Sequence, residues 1–157
     1  MIQQSMIETG TEAPVFDLEV SGSERVRLAD FRGKRNVLLV FHPFAWTAIC
    51  EEEALDLQAN LPAFESAETE VILVSCDAAS SRQAWREKLQ LGYTLASDFW
   101  PHGEATKAYG VFNEERGAPV RGTFLIDKTG TVVWSLVNRD NSRRAELVSA
   151  PLAVASE

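Results

Sequence analysis

The chemistry open to this chain gathers in Phe41-His42-Pro43-Phe44-Ala45-Trp46-Thr47-Ala48-Ile49-Cys50. The Cys50 thiol sits where an apolar run, Val37 to Phe41, hands over to an acidic, helix-like segment, Glu51 to Asn60. A helix start points its first N–H groups at such a sulfur and carries partial positive charge there. That lowers a cysteine pKa, and the thiolate, not the thiol, is the nucleophile. Pro43 can shield a thiolate from water. Thr47, three residues ahead of Cys50, can hydrogen-bond the sulfur or an oxygen of a bound substrate. A second reading fits the same position: free cysteines are among the most buried residues, so Cys50 can be purely structural. Position alone leaves both open.

Little else competes for chemistry. The other cysteine is Cys76, and two thiols make no disulfide framework for 157 residues. There is no CxxC, which excludes a dithiol redox motif and a zinc ribbon. The histidines, His42 and His102, stand at no ligand spacing to the cysteines, so no metal and no cofactor is expected. A net charge of −8 lacks the basic footprint that nucleic acid or an anionic membrane requires. No apolar run approaches the ~18 residues of a membrane span. The start, Met1 to Glu8, lacks a basic region and an apolar core, so no secretory signal is expected. Reducing, cytoplasmic surroundings are the default for such thiol usage.

The elements that must hold Cys50 follow from pattern. Residues 1–9 read as a frayed lead-in. Val15 to Val20 and Arg25 to Leu28 alternate like the strands of an N-terminal β-hairpin. Asn36 to Phe41 is continuously apolar after its first residue, as in a central strand covered on both faces, and Pro43 must end it. A helix is predicted from Thr47, with Leu55, Leu57, Leu61 and Phe64 as an imperfect apolar stripe and Pro62 bending or ending it. Glu70 to Cys76 repeats the buried-strand pattern. Ser80 and Gln83 form a capping-box pattern for a helix to about Gln90, with Gly92 as its stop. A short strand at Tyr93 to Leu95 and a short helix at Glu104 to Tyr109 follow. Arg121 to Ile126 and Thr131 to Leu136 pair about an Asp127-Lys128-Thr129-Gly130 turn. A terminal helix is expected from Arg143 to about Ala155. The order predicts one α/β domain over residues 1–157 with a mixed sheet.

Pro43-x-x-x-Thr47-x-x-Cys50 resembles the PxxxTxxC signature of the peroxiredoxins, thiol peroxidases on a thioredoxin-like fold. The surroundings are similar too: Gly10 with Ala13-Pro14 and Phe16-Asp17-Leu18, Glu53, Ser75-Cys76-Asp77, Ser97-Asp98, Ala108-Tyr109-Gly110-Val111, and Arg121 to Asp127. The resemblance runs from about residue 8 to residue 150. Asp98 to Gly103 and Val111 to Glu114 resemble the actinobacterial AhpE-type subfamily, usually treated as one-cysteine peroxiredoxins.

The resemblance implies a thioredoxin-like fold with a central mixed sheet, helices on both faces and an N-terminal β-hairpin. It implies that Cys50 thiolate attacks a peroxide oxygen and becomes sulfenic acid, while water or alcohol leaves. Thr47, Arg121 and the Cys50 N–H would hold the two oxygens, and Pro43 would exclude water. From residues alone Arg121 reads equally as a surface arginine at a strand start. Glu53 would orient an arginine, while Glu51 and Glu52 face solvent. His42 is either a packed histidine or an accessory group that positions the site or assists proton transfer. His102 reads as a loop residue.

Cys76 falls at a buried strand end, so a structural thiol is expected and no resolving cysteine. An external reductant then recycles Cys50: mycothiol with its redoxin, or thioredoxin. Two rivals stay open, a two-cysteine peroxidase using Cys76 and a redox sensor acting through a protein partner. Phe44, Trp46, Phe99 and Trp100 exceed what packing near one site needs. They read either as packing or, by the same resemblance, as the face of a homodimer or higher homo-oligomer beside the active-site loop.

Overall fold

The computed structural model describes residues 7–140 and 142–156. The lead-in expected over residues 1–9 falls largely outside them. Within them Ile7 already packs against the core, and the Gly10 N–H donates to the Val132 carbonyl at 2.8 Å.

Nine strands and five α-helices follow along the described residues. β1 (Asp17–Ser21) and β2 (Glu24–Arg27) form the N-terminal hairpin. β3 (Asn36–Phe41) leads to α1 (Ala48–Ala59) and α2 (Leu61–Ser66). β4 (Thr69–Ser75) leads to α3 (Ala79–Leu89), and β5 (Thr94–Ser97) to α4 (Glu104–Ala108). A two-stranded ladder of β6 (Phe112–Asn113) and β7 (Ala118–Pro119) precedes β8 (Arg121–Ile126), β9 (Val132–Asn138) and α5 (Ser149–Ala155).

The seven-stranded sheet runs β2-β1-β5-β4-β3-β8-β9. β3, β4 and β5 are parallel, and the flanking pairs are antiparallel, so the sheet is mixed. Continuous apolar patterning makes β3 and β4 central: from Val37 every residue of β3 is buried. Alternation along β3 sends Val37, Leu39 and Phe41 to one face and Leu38 and Val40 to the other. α1, α2, α3 and α5 cover the second face, while α4 and Tyr109 cover the first. This is the α/β thioredoxin-like arrangement expected, with helices on both faces.

Four local expectations differ. The stripe does not run through one helix: α1 ends at Asn60, and α2 restarts with Pro62 in its first turn, where a missing N–H costs nothing. Leu57 and Phe64 are fully buried, each contributing roughly 1.5–3 kcal/mol; Leu55 is 41% exposed. The Ser80–Gln83 box does not form. α3 starts two residues earlier, after Ala78, and the Gln83 side chain instead donates to the Val20 carbonyl at 3.0 Å. The left-handed residue that closes α3 is Gln90, φ 54°, rather than Gly92. The terminal helix covers only Ser149–Ala155, because Arg144 is drawn out of helical pairing into the site below.

Candidate active site

Everything expected to act sits near the C-terminal end of β3. The His42 N–H donates to the Val74 carbonyl at 2.9 Å, which extends the β3–β4 ladder by one residue. Pro43 is buried and ends it. Thr47 is the N-cap residue of α1, so Cys50 lies in the first turn, where backbone N–H groups lack helical acceptors. Cys50 is 2% exposed and packs with Ala45 and Ala54 in the core. The exposed Thr47 hydroxyl donates to the Phe44 carbonyl at 3.1 Å, which leaves its lone pairs to accept.

Arg121 opens β8. Val40 pairs with Thr123 across the β3–β8 ladder, so Arg121 stands beside His42 just beyond it. Gly122 follows because a Cβ there would come within 2.7 Å of Val111, whose segment crosses close by. Arg121 is 4% exposed and its Nη1 meets Glu53 Oε1 at 2.5 Å. Glu53 is three residues after Cys50, hence on the same side of α1 one turn on. Sequence reading missed the third member, Arg144. This fully buried side chain donates through Nε and Nη2 to Glu53 at 2.9 Å each, and its backbone N–H donates at 2.8 Å. Its Nη1 reaches the Gly122 carbonyl at 3.0 Å and Thr123 Oγ1 at 2.8 Å. Burial raises the Glu53 carboxyl, but the Arg144 hydrogen bonds and charge, joined by Arg121, outweigh it and hold the group below its ordinary value. Glu51 and Glu52 turn away, and Glu52 lies 3.7 Å from the exposed Arg143.

His42 is buried and stacks on Trp85, ring centroids 5.5 Å apart. Its Nε2 lies 3.1 Å from Arg82 Nη1, and since guanidinium has no acceptor, Nε2 accepts. Burial, then the charges of Arg82, Arg144 and Arg121, push His42 well below the usual imidazole value. That nitrogen of the ring is thereby committed to the Arg82 guanidinium. His102 bridges two loops, with its ring nitrogens 2.7 Å from the Gly117 carbonyl and 3.3 Å from that of Phe99.

Cys76 lies just past β4. Burial and the Asp98 charge push its thiol up to about 11. Phe44 is half-buried under Arg116, while Trp46, Phe99 and Trp100 are 47%, 52% and 80% exposed. Trp46 has φ 72°, a left-handed backbone that costs a non-glycine residue about 1–2 kcal/mol.

A thioredoxin-like sheet with a thiol in the first turn after β3 and an arginine at its flank defines a class of thiol peroxidase. The chain belongs to the AhpC/TSA family, which matches residues 9–135, and it is a peroxiredoxin. Within that family it is 40% identical to alkyl hydroperoxide reductase E of Mycobacterium tuberculosis over 127 residues, 81% of this chain and 83% of that protein. Among solved structures, the reduced 2-Cys peroxiredoxin of Plasmodium vivax superposes with TM-score 0.84 at 32% identity, covering 94% of this chain and 79% of that one. Peroxidoxin BcpB of M. tuberculosis superposes with TM-score 0.86 at 24% identity, covering 96% and 97%, which shows the shared fold.

Proposed function

We propose that this peroxidase works by a one-cysteine cycle centred on Cys50. The observation that carries it is the buried Cys50 in the first turn of α1, with Glu53 of the same helix clamping Arg121 beside it. Cys50 thiolate attacks the nearer oxygen of hydrogen peroxide or an organic hydroperoxide. A sulfur–oxygen bond forms, the oxygen–oxygen bond breaks, and one proton converts the departing oxygen to water or alcohol. Cys50 is oxidised to sulfenic acid and the peroxide is reduced. Thr47 accepts from the peroxide O–H, while Arg121 and the Cys50 N–H donate to the oxygens along the breaking bond. Pro43 keeps bulk water off the sulfur. Glu53 holds Arg121 in place, and Arg144 holds Glu53.

An external thiol then condenses with the sulfenic acid, releasing water, and a second thiol frees Cys50 from the mixed disulfide. The buried Cys76, with its thiol pushed up to about 11, supports this over an internal disulfide, because it holds almost no thiolate at neutral pH. We assign the reductant to the mycothiol–mycoredoxin or thioredoxin type and the site of action to the cytoplasm. Trp46, Phe99 and Trp100 offer aromatic anchors for a homodimer.

Mass spectrometry of peroxide-treated protein is the test. One added oxygen on Cys50, with activity lost in Cys50→Ser, is expected. Loss of two hydrogens through a Cys50–Cys76 disulfide, or activity retained in Cys50→Ser, would overturn the reading.

A further inference from the structure

A second buried guanidinium assembly lies under the same segment, and the chemistry above makes no use of its centre. Arg82 is fully buried in α3, one helical turn before Trp85. Its Nη2 donates to the Leu73 carbonyl at 2.7 Å, and its Nη1 donates to the Ser75 hydroxyl and to His42. The nearest carboxylate oxygen, Asp77 Oδ2, is 3.9 Å away. That oxygen is already shared by the Ala45 N–H at 2.8 Å and the Ser75 hydroxyl at 2.6 Å.

Three fastenings of the approach to Cys50 return to residues 77–82. His42 hangs on Arg82. Ala45 hangs on Asp77, which reaches Arg82 through Ser75. The Trp46 indole N–H donates to Ser81 Oγ at 3.2 Å. Between these ties Trp46 is kept at positive φ, a conformation that an unheld tryptophan would leave. Thr47 follows as the N-cap and fixes where α1 begins.

We propose that Arg82 is a positioning residue for Cys50, a buried cation that holds the 42–47 segment in its strained, reactive form through His42 and the Ser75–Asp77 pair. This rests on the one-cysteine reading above. The charged and titratable groups facing Arg82 are Asp77, Tyr93, Cys50 and Cys76, with His42 in direct contact. Burial brings the guanidinium down to about 10, and the charges of Asp77, Tyr93 and Cys50 oppose that fall. Arg121 and Arg144 give His42 its other cationic neighbours.

The test compares wild type, Arg82→Lys, Arg82→Met and His42→Phe. Two readouts are taken: the rate constant with hydrogen peroxide, and the pH midpoint of Cys50 alkylation by iodoacetamide. Thermal melting checks folding. Arg82→Met is expected to lose roughly tenfold to a hundredfold in the peroxide rate constant, with the alkylation midpoint displaced to higher pH. Arg82→Lys keeps the charge without the fork and should restore most of the midpoint but only part of the rate. His42→Phe keeps Arg82, removes one tie, and should lose rate while holding its midpoint. A folded Arg82→Met with wild-type rate and midpoint overturns the proposal. Where Arg82→Met does not fold, a folded His42→Phe with wild-type rate overturns it. Activity retained in Cys50→Ser would instead sink the one-cysteine reading, whatever the Arg82 variants do.

Discussion

Two buried guanidinium assemblies flank Cys50, and they are built on opposite principles. On one side Arg121 and Arg144 share a single carboxylate, Glu53, at 2.5 and 2.9 Å. On the other, Arg82 touches a hydroxyl, a carbonyl and a neutral imidazole, with its carboxylate held off at 3.9 Å. The first is an ion cluster in which the anion is indispensable: two cations were taken out of water on its account. The second is a cation hydrogen-bonded to neutral groups, with no anion in direct contact. Stability should concentrate in the first assembly, and sensitivity of the thiol in the second.

Breaking the first assembly should produce the largest effect. Glu53→Gln leaves two buried guanidiniums without their counter-charge, and chemical denaturation should show a loss of ~3–5 kcal/mol. Arg82→Met orphans only neutral acceptors, so its cost should be smaller, about 1–3 kcal/mol by the same measurement. Equal losses for the two variants would erase the distinction.

The assemblies also differ in their response to acid. His42, beside Arg82, has its folded-state value far below the ordinary 6.5. Its neutral form is favoured by folding, so its contribution is complete above pH 6.5. That contribution is lost as pH falls, because the unfolded chain takes up a proton that the folded protein refuses. Stability measured between pH 6.5 and 5 should fall by up to ~1.4 kcal/mol per pH unit, and His42→Phe should flatten that slope.

The smallest effect sharpens the contrast within one dipeptide. Arg143 pairs with Glu52 and Asp56 at the surface, with 47% of its side chain exposed. Arg143→Ala should change stability by less than ~1 kcal/mol, while Arg144→Ala should cost several times more.

That dipeptide also shows where the sequence stops being informative. Strands were legible because β3 and β4 are apolar on both faces, and the site's centre because Pro43, Thr47 and Cys50 lie within one short, patterned stretch. Arg144 had no such signal: it sits 91 residues from Glu53 and next to an arginine of identical type. Only the return of the chain after β9 separates the two. Arg82 carried a faint signal, since it precedes Trp85 by three and so shares the buried face of α3. The Ser80–Gln83 pattern pointed the wrong way, because Gln83 had a better use at the Val20 carbonyl. Leu55 misled because it lies two residues from Leu57 in α1 and so on the opposite face of the helix.

The most direct test of the central claim is stopped-flow tryptophan fluorescence of reduced protein mixed with hydrogen peroxide. Trp46, four residues from Cys50 and tied to Ser81, should report the oxidation. A fast signal, linear in peroxide concentration and absent from Cys50→Ser, is the predicted result. A reaction no faster than that of a free thiol would contradict the account, since two buried cationic assemblies would then have left Cys50 unactivated.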